Sequence, residues 1–206
     1  MAFDLDSLEK RIARLPPRHR AAFAALCTER MLPNYAAFTR ICRWGEPQKL
    51  RDALDKVYEA LATGTVDSDA LRKLKAACEK QIPDLDDFAD ESVSWAADAG
   101  HALQATFECL LTGDPRQAAS CATVAKDTVD NFIQEQMELS YSDPVLAGKL
   151  EDDPLLLREM SRQQYSLDAL EKLKALDAKS VKQLRTEFGG QGKSNINLDW
   201  REQKRK

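Results

Sequence analysis

Histidine is scarce in this chain: only His19 and His101 occur among 206 residues. Glycine and proline number eight each, too few for collagen-like or low-complexity chains. No apolar run approaches the roughly 20 residues that span a bilayer. The start, Met1-Ala2-Phe3-Asp4-Leu5-Asp6, carries two acids where a signal peptide needs positive charge followed by an apolar stretch. No membrane association is therefore expected, and a cytoplasmic location is. A large excess of one charge is missing too. With 34 acidic and 30 basic residues the net charge is −4, which argues against a global nucleic-acid-binding surface. Five cysteines, Cys27, Cys42, Cys78, Cys109 and Cys121, cannot all pair within one chain and form no CxxC motif. They read as reduced, small, apolar core residues.

What is present is helix. The chain is 43% hydrophobic and 31% charged, enough for one sizeable core. Apolar residues recur at helical spacing almost throughout. Leu5, Leu8, Ile12 and Leu15 share one face, and Pro16-Pro17 ends that helix and opens the next. Phe23, Leu26, Cys27 and Met31 mark a second helix, which Pro33 is expected to break. A third carries Tyr35, Phe38, Ile41 and Cys42. Further helices follow near residues 50–61, 68–82, 88–111, 115–137, 155–176 and 179–188. The pattern predicts an all-α domain of about nine helices over residues 1–190, with the two near 88–111 and 115–137 central and antiparallel. The Ala-rich first half of the latter suits close helix packing, inside the domain or between copies. Residues 191–206 read as a flexible polar and basic tail. No strand alternation and no fixed-period repeat appears.

Motifs that carry chemistry are few. Asp98 and His101 lie three residues apart, on one helical face with Ser94 and Glu108. A single Asp-x-x-His has no second copy, so the di-iron pattern of helical bundles is not met. The bland account is a polar face or a buried Asp–His hydrogen bond. The acidic run Asp84 to Glu91 fails the calcium-loop template, which wants Gly where Ala89 stands and Glu where Trp95 stands. Carboxylates also gather where helices begin, as N-caps and dipole partners. Gly189-Gly190-Gln191-Gly192-Lys193-Ser194 ends like a phosphate loop, yet Glu187 occupies the position of the first Gly, and a helix rather than a strand precedes it. No cofactor is expected.

Several segments are distinctive: Leu26-Cys27-Thr28-Glu29-Arg30-Met31-Leu32-Pro33-Asn34-Tyr35-Ala36-Ala37-Phe38, then Ile82-Pro83-Asp84-Leu85-Asp86-Asp87-Phe88, Ala97-Asp98-Ala99 and Ser194-Asn195-Ile196. Together they make the chain resemble the YjaG-like proteins, domain-of-unknown-function family 416, over about residues 5–198. That resemblance implies a helical fold in a bacterial family. It implies no activity.

Arg30 faces the apolar side of its helix, where an unpaired charge costs about 3–5 kcal/mol. Asp98 is the expected partner, with Asn34 capping the next helix and the Tyr35 hydroxyl nearby. Glu29, Arg30, Asn34, Tyr35, Asp98 and His101 thus form the candidate polar cluster. The first functional expectation is a non-enzymatic protein-interaction or regulatory module, with a protein partner and room for a homo-oligomer. The alternative is a small-molecule binder or enzyme using an interhelical pocket around Arg30 and Asp98. That alternative requires a concave, solvent-open site holding Asp98 or His101. Nucleic-acid binding through the basic tail is the weakest reading.

Overall fold

The computed structural model describes residues 5–137 and 150–201. Among them the chain forms α1 (Leu5–Arg14), α2 (Pro17–Cys42), α3 (Pro47–Thr63), α4 (Ser68–Glu79), α5 (Ser92–Thr112), α6 (Pro115–Met137), α7 (Pro154–Lys172) and α8 (Ala178–Phe188). Two 3₁₀ turns lie at Leu85–Asp87 and Gly190–Gly192. No strand occurs among the described residues, only an isolated antiparallel bridge between Lys193 and Asp199. The all-α single domain is as expected. Ser142-Asp143-Pro144, which the sequence marks as a junction before a short segment, lies outside the described residues.

The helix in the middle is α2, which packs against α3, α5, α6, α7 and α8. Its composition explains this. Ala21, Ala22, Ala24 and Ala25 are buried, and so are Phe23, Leu26, Met31, Tyr35 and Phe38, so little of its circumference is left for water. Ala96, Ala99 and Ala102 on α5 and Ala118, Ala122 and Ala125 on α6 are also fully buried. Small residues let these helices approach closely, while Phe23, Phe38 and Phe107 fill the space between, each adding about 1.5–3 kcal/mol by burial. The Ala-rich face of α6 is therefore used inside the chain. The five cysteines are unpaired, and Cys27, Cys78, Cys109 and Cys121 are buried. Burial pushes the Cys27, Cys109 and Cys121 thiols up to about 12, which keeps them protonated and inert.

Helix ends follow the residues that stand there. Asp67, Asp153 and Asp177 accept hydrogen bonds from the backbone N–H groups of Ala70, Leu155 and Ser180 at the starts of α4, α7 and α8. In the acidic run, Asp84 accepts from the Asp86 N–H and Asp90 from the Ser92 N–H. The basic start of α2 has the wrong sign for its own dipole. Its side chains serve other helices instead: Arg18 donates to the Leu61 and Leu176 carbonyls, His19 contacts the Leu173 carbonyl, and Arg20 donates to Gly113 O and Ala13 O. Carbonyls left over at C-terminal helix ends are the natural partners for such donors.

Two expectations need correction. Pro33 does not end α2, which runs unbroken to Cys42, so two expected helices are one. Proline removes the N–H that would bond the Glu29 carbonyl. The helix survives because its surroundings hold it: Asn195 N–H donates to the Arg30 carbonyl at 2.9 Å, and the whole segment is packed. Residues 193–200 are not a solvated tail. Ser194, Asn195 and Ile196 are buried, Ser194 Oγ accepts from the N–H groups of Ile196 and Leu198, and Arg40 donates to the Asp199 and Trp200 carbonyls. Polar residues in such a segment are expected to face solvent, but here their polarity is satisfied internally.

Pro33→Ala would restore the missing helical hydrogen bond. Proline costs about 3 kcal/mol relative to alanine in an isolated helix interior, and part of that is already relieved, so a gain of about 1–3 kcal/mol in unfolding free energy is expected from urea denaturation. A loss of stability would show that Pro33 is required for the path of α2.

Candidate functional site

Arg30 and Glu159 have no exposed side-chain surface at all. Arg30 Nε donates to Glu159 Oε2 at 2.8 Å and Nη2 to Oε1 at 2.5 Å. Nη1 donates to the carbonyls of Leu26 and Phe188, and Nη2 also reaches Cys27 Sγ at 3.7 Å. A guanidinium has five N–H donors, and each finds a partner here. Burial alone would lower the Arg30 pKa, but Glu159 and Cys27 outweigh it and the net shift is upward. Gln163 Nε2 donates to Glu159 Oε1 at 3.1 Å and to Ala122 O at 3.0 Å, tying the pair to α6. Asp98 is therefore not the partner of Arg30. The true partner is on α7, and it carried a signal: Glu159 falls in the inward stripe Leu156, Gln163, Leu167 and Leu170, where a carboxylate is out of place unless a cation meets it.

The other cluster members separate. Asn34 lies inside α2 and caps nothing; its Nδ2 donates to Asn195 Oδ1 at 3.0 Å, and Asn195 Nδ2 donates to Ala125 O at 2.9 Å. Tyr35 donates to the Gln81 carbonyl at 2.7 Å, and burial pushes its hydroxyl up to about 12. Glu29 points the other way, as its place beside Arg30 in sequence dictates. It holds Arg51 with both oxygens, at 2.7 and 2.8 Å, and Arg185 Nε at 3.2 Å. Arg30, Asn34 and Tyr35 are thus structural, and Glu29 borders a separate cleft.

Asp98 and His101 line an open cleft of about 560 Å³ together with Ile82, Leu85, Ser94 and Asn131. Two features build it. Gly100 lets the Ile82 side chain lie on α5, because a Cβ there would sit 2.7 Å from Ile82 Cγ1. Phe88 anchors the following segment edge-on against Phe38 and Trp44, at ring-centroid distances of 5.0 and 5.7 Å. Asp98 is half-buried, and its Oδ2 accepts from Thr128 Oγ1 at 2.7 Å. No hydrogen bond joins it to His101, which is exposed, so the expected buried Asp–His bond is absent among the described residues. Burial pushes the Asp98 carboxyl above the ordinary carboxylate value, with Asp127 adding to the rise, while Thr128 and His101 oppose it. Among the described residues no group of three or more His, Cys, Asp or Glu side chains is arranged to hold a metal ion.

Fold and site together define an all-helical, single-domain protein that keeps its polar chemistry between helices. Residues 7–199 match the family described as "Protein of unknown function (DUF416)", and the chain belongs to that family. The "Uncharacterized protein YjaG" of Escherichia coli K12 is 29% identical over 192 residues, covering 91% of this chain and 94% of that one. An "Uncharacterized protein" of Haemophilus influenzae is 24% identical, covering 94% and 97%. The crystal structure of a DUF416 family protein from Shewanella baltica OS155 superposes with a TM-score of 0.83 at 25% identity, covering 93% of this chain and 97% of that one. The resemblance read from the distinctive segments is borne out.

Removing one partner of the buried ion pair leaves the other unpaired, so Arg30→Met is expected to cost about 3–5 kcal/mol. Adding Glu159→Leu should recover most of that loss, and a double-mutant cycle by chemical denaturation reads the coupling. If Arg30→Met alone is neutral, the pair is dispensable. Asp98 behaves oppositely. Its raised folded-state pKa means that its contribution to stability is full at acid pH and is lost as pH rises through that pKa. Asp98→Asn stays neutral, so it should melt at or above the wild type near pH 8, and the difference should shrink as pH falls toward about 4. His101, Asp84 and Asp127 face Asp98 in both proteins and so largely cancel in the comparison. A variant that melts well below the wild type at every pH would contradict this.

Proposed function

We propose that this chain is a non-enzymatic binding protein that recognises a small cationic group in the Asp98–His101 cleft. The observation that carries the reading is a desolvated carboxylate on the wall of an open cleft. A half-buried carboxylate with no ion-pair partner among the described residues lowers stability, and such groups concentrate at functional sites. The cleft's volume, about 560 Å³, lies within the range of small-molecule sites. Thr128 occupies one Asp98 oxygen and leaves the other to accept a hydrogen bond. Ile82 and Leu85 give apolar wall for a short hydrocarbon stem, and His101 and Asn131 add polar contacts. An amine or guanidine on a short aliphatic chain fits this set.

Leu85 supports a second reading. Its side chain is 54% exposed beside the cleft, so the cation can belong to a lysine or arginine of a protein partner, with Leu85 contacting that partner. The chemistry at Asp98 is the same in both cases.

Butylamine and butylguanidine, with butyrate as the control of opposite charge, test the reading by thermal shift and calorimetry. Ligand at hundredfold excess over its Kd adds about 2.7 kcal/mol, so the two cations should raise the melting temperature and butyrate should not. Asp98→Asn should keep the fold and lose the shift. Equal shifts in wild type and Asp98→Asn, or none with either cation, would overturn the proposal.

A further inference from the structure

A second cleft, also about 560 Å³, is lined in part by α2. Glu29 and Pro33 line it from α2, Gln48 and Arg51 from α3 and its N-terminal turn, Arg185 from α8, and Trp200 and Arg201 from the C-terminal segment. The acids and bases here are not equivalent. Glu29 is committed: both of its oxygens hold Arg51, and Arg185 binds it as well. Asp55 braces the same two arginines, at 2.6 Å from Arg185 Nη2 and 3.0 Å from Arg51 Nη2. The Arg185 guanidinium also lies 4.4 Å over the Tyr58 ring. Two carboxylates and an aromatic face therefore fix two guanidinium groups in place.

Donors are left over. Arg185 Nη1 has no hydrogen-bond partner among the described residues, and Arg201 has no ion pair among the described residues. Gly190, Gln191 and Gly192 follow one another with φ of 81°, 54° and 83°, and Gln191 and Gly192 line the cleft. A non-glycine residue held in the left-handed region is uncommon, and successive N–H groups in such turns tend to converge on anions. Arg40 fixes the segment from behind through the Asp199 and Trp200 carbonyls. Against these donors the cleft offers one carboxylate not already engaged by an arginine, that of Asp199.

We propose that this arginine-lined cleft is a binding site for a small anion bearing a phosphoryl or carboxyl group, held by Arg185 and Arg201 with Trp200 as a wall. Arg51 and Glu29 position Arg185 and do not bind the ligand themselves. Planar guanidinium groups match both phosphate and carboxylate in bidentate geometry, which is the chemistry the two classes share. The site is separate from the Asp98 cleft and does not depend on it.

Inorganic pyrophosphate and citrate serve as the two probes, with sodium chloride at matched ionic strength as the control. Isothermal titration calorimetry on the full chain, with Trp fluorescence in parallel, should show saturable binding of at least one probe. Arg201→Gln should weaken it at least tenfold while leaving the circular dichroism and melting temperature unchanged. Arg185→Gln should do the same to binding, and Trp200→Phe should remove the fluorescence change. Asp98→Asn should bind the anion like the wild type, which keeps this test distinct from the one above. Preference for pyrophosphate assigns a phosphorylated ligand, and preference for citrate a carboxylated one. Binding that follows ionic strength alone, or that is equal in wild type and Arg201→Gln, would overturn the proposal.

Discussion

Arg30 sits at the centre of the most buried helix with no exposed surface, and its charge cannot be removed by titration. Everything around it answers that fact. Its five donors require a carboxylate from α7, the preceding turn of its own helix, the end of α8 and the polarizable sulfur of Cys27. Its own backbone carbonyl accepts from the Asn195 N–H, and one turn on Asn34 donates to the Asn195 side chain. The C-terminal third is thus held to α2 by polar geometry, where a purely apolar contact would tolerate sliding. Ion pairs of this kind add little net stability over a well-packed apolar pair, but they admit only one register.

The helical pattern, the caps and most of the core were legible from residue spacing. Apolar stripes such as Leu50, Leu54, Val57, Tyr58 and Leu61 are buried as read. What spacing could not convey was long-range. Pro33 carries the local meaning of a break, and only tertiary support from Asn195 and the packed core reverses it. Spacing points to α5 for the partner of Arg30 while the structure has it on α7, since a chain pattern says which face is inward but not which helix it meets. Ser194-Asn195-Ile196 looked like polar tail because hydrogen bonds to distant backbone leave no periodic trace. The six-residue polar cluster was half legible: the residues are indeed unusual, but they divide between a sealed pair, two structural hydrogen bonds and two separate clefts.

The two clefts are of opposite character. One presents a carboxylate that is poorly solvated and weakly compensated, the other guanidinium groups that are braced and left with spare donors. Glycine shapes each in its own way. Gly100 admits Ile82 to the wall of the first, and Gly190 and Gly192 supply the left-handed backbone at the edge of the second. The distinctive segments meet at these places: Ile82 to Leu85 and Ala97-Asp98 at the carboxylate cleft, Glu29 and Pro33 at the arginine cleft. Both are open to solvent while the pair between α2 and α7 stays sealed.

The separation of Arg30 from Glu159 also has a meaning in time. They stand 129 residues apart in the chain. At ribosomal rates of about 5–20 residues per second, Arg30 emerges roughly 6–26 s before the residue that neutralises it. Throughout that interval the Arg30 cation lacks the carboxylate that meets it in the folded chain. The buried ion pair is therefore completed only when α7 arrives, although α3, α5 and α6, which also pack on α2, precede it in the chain.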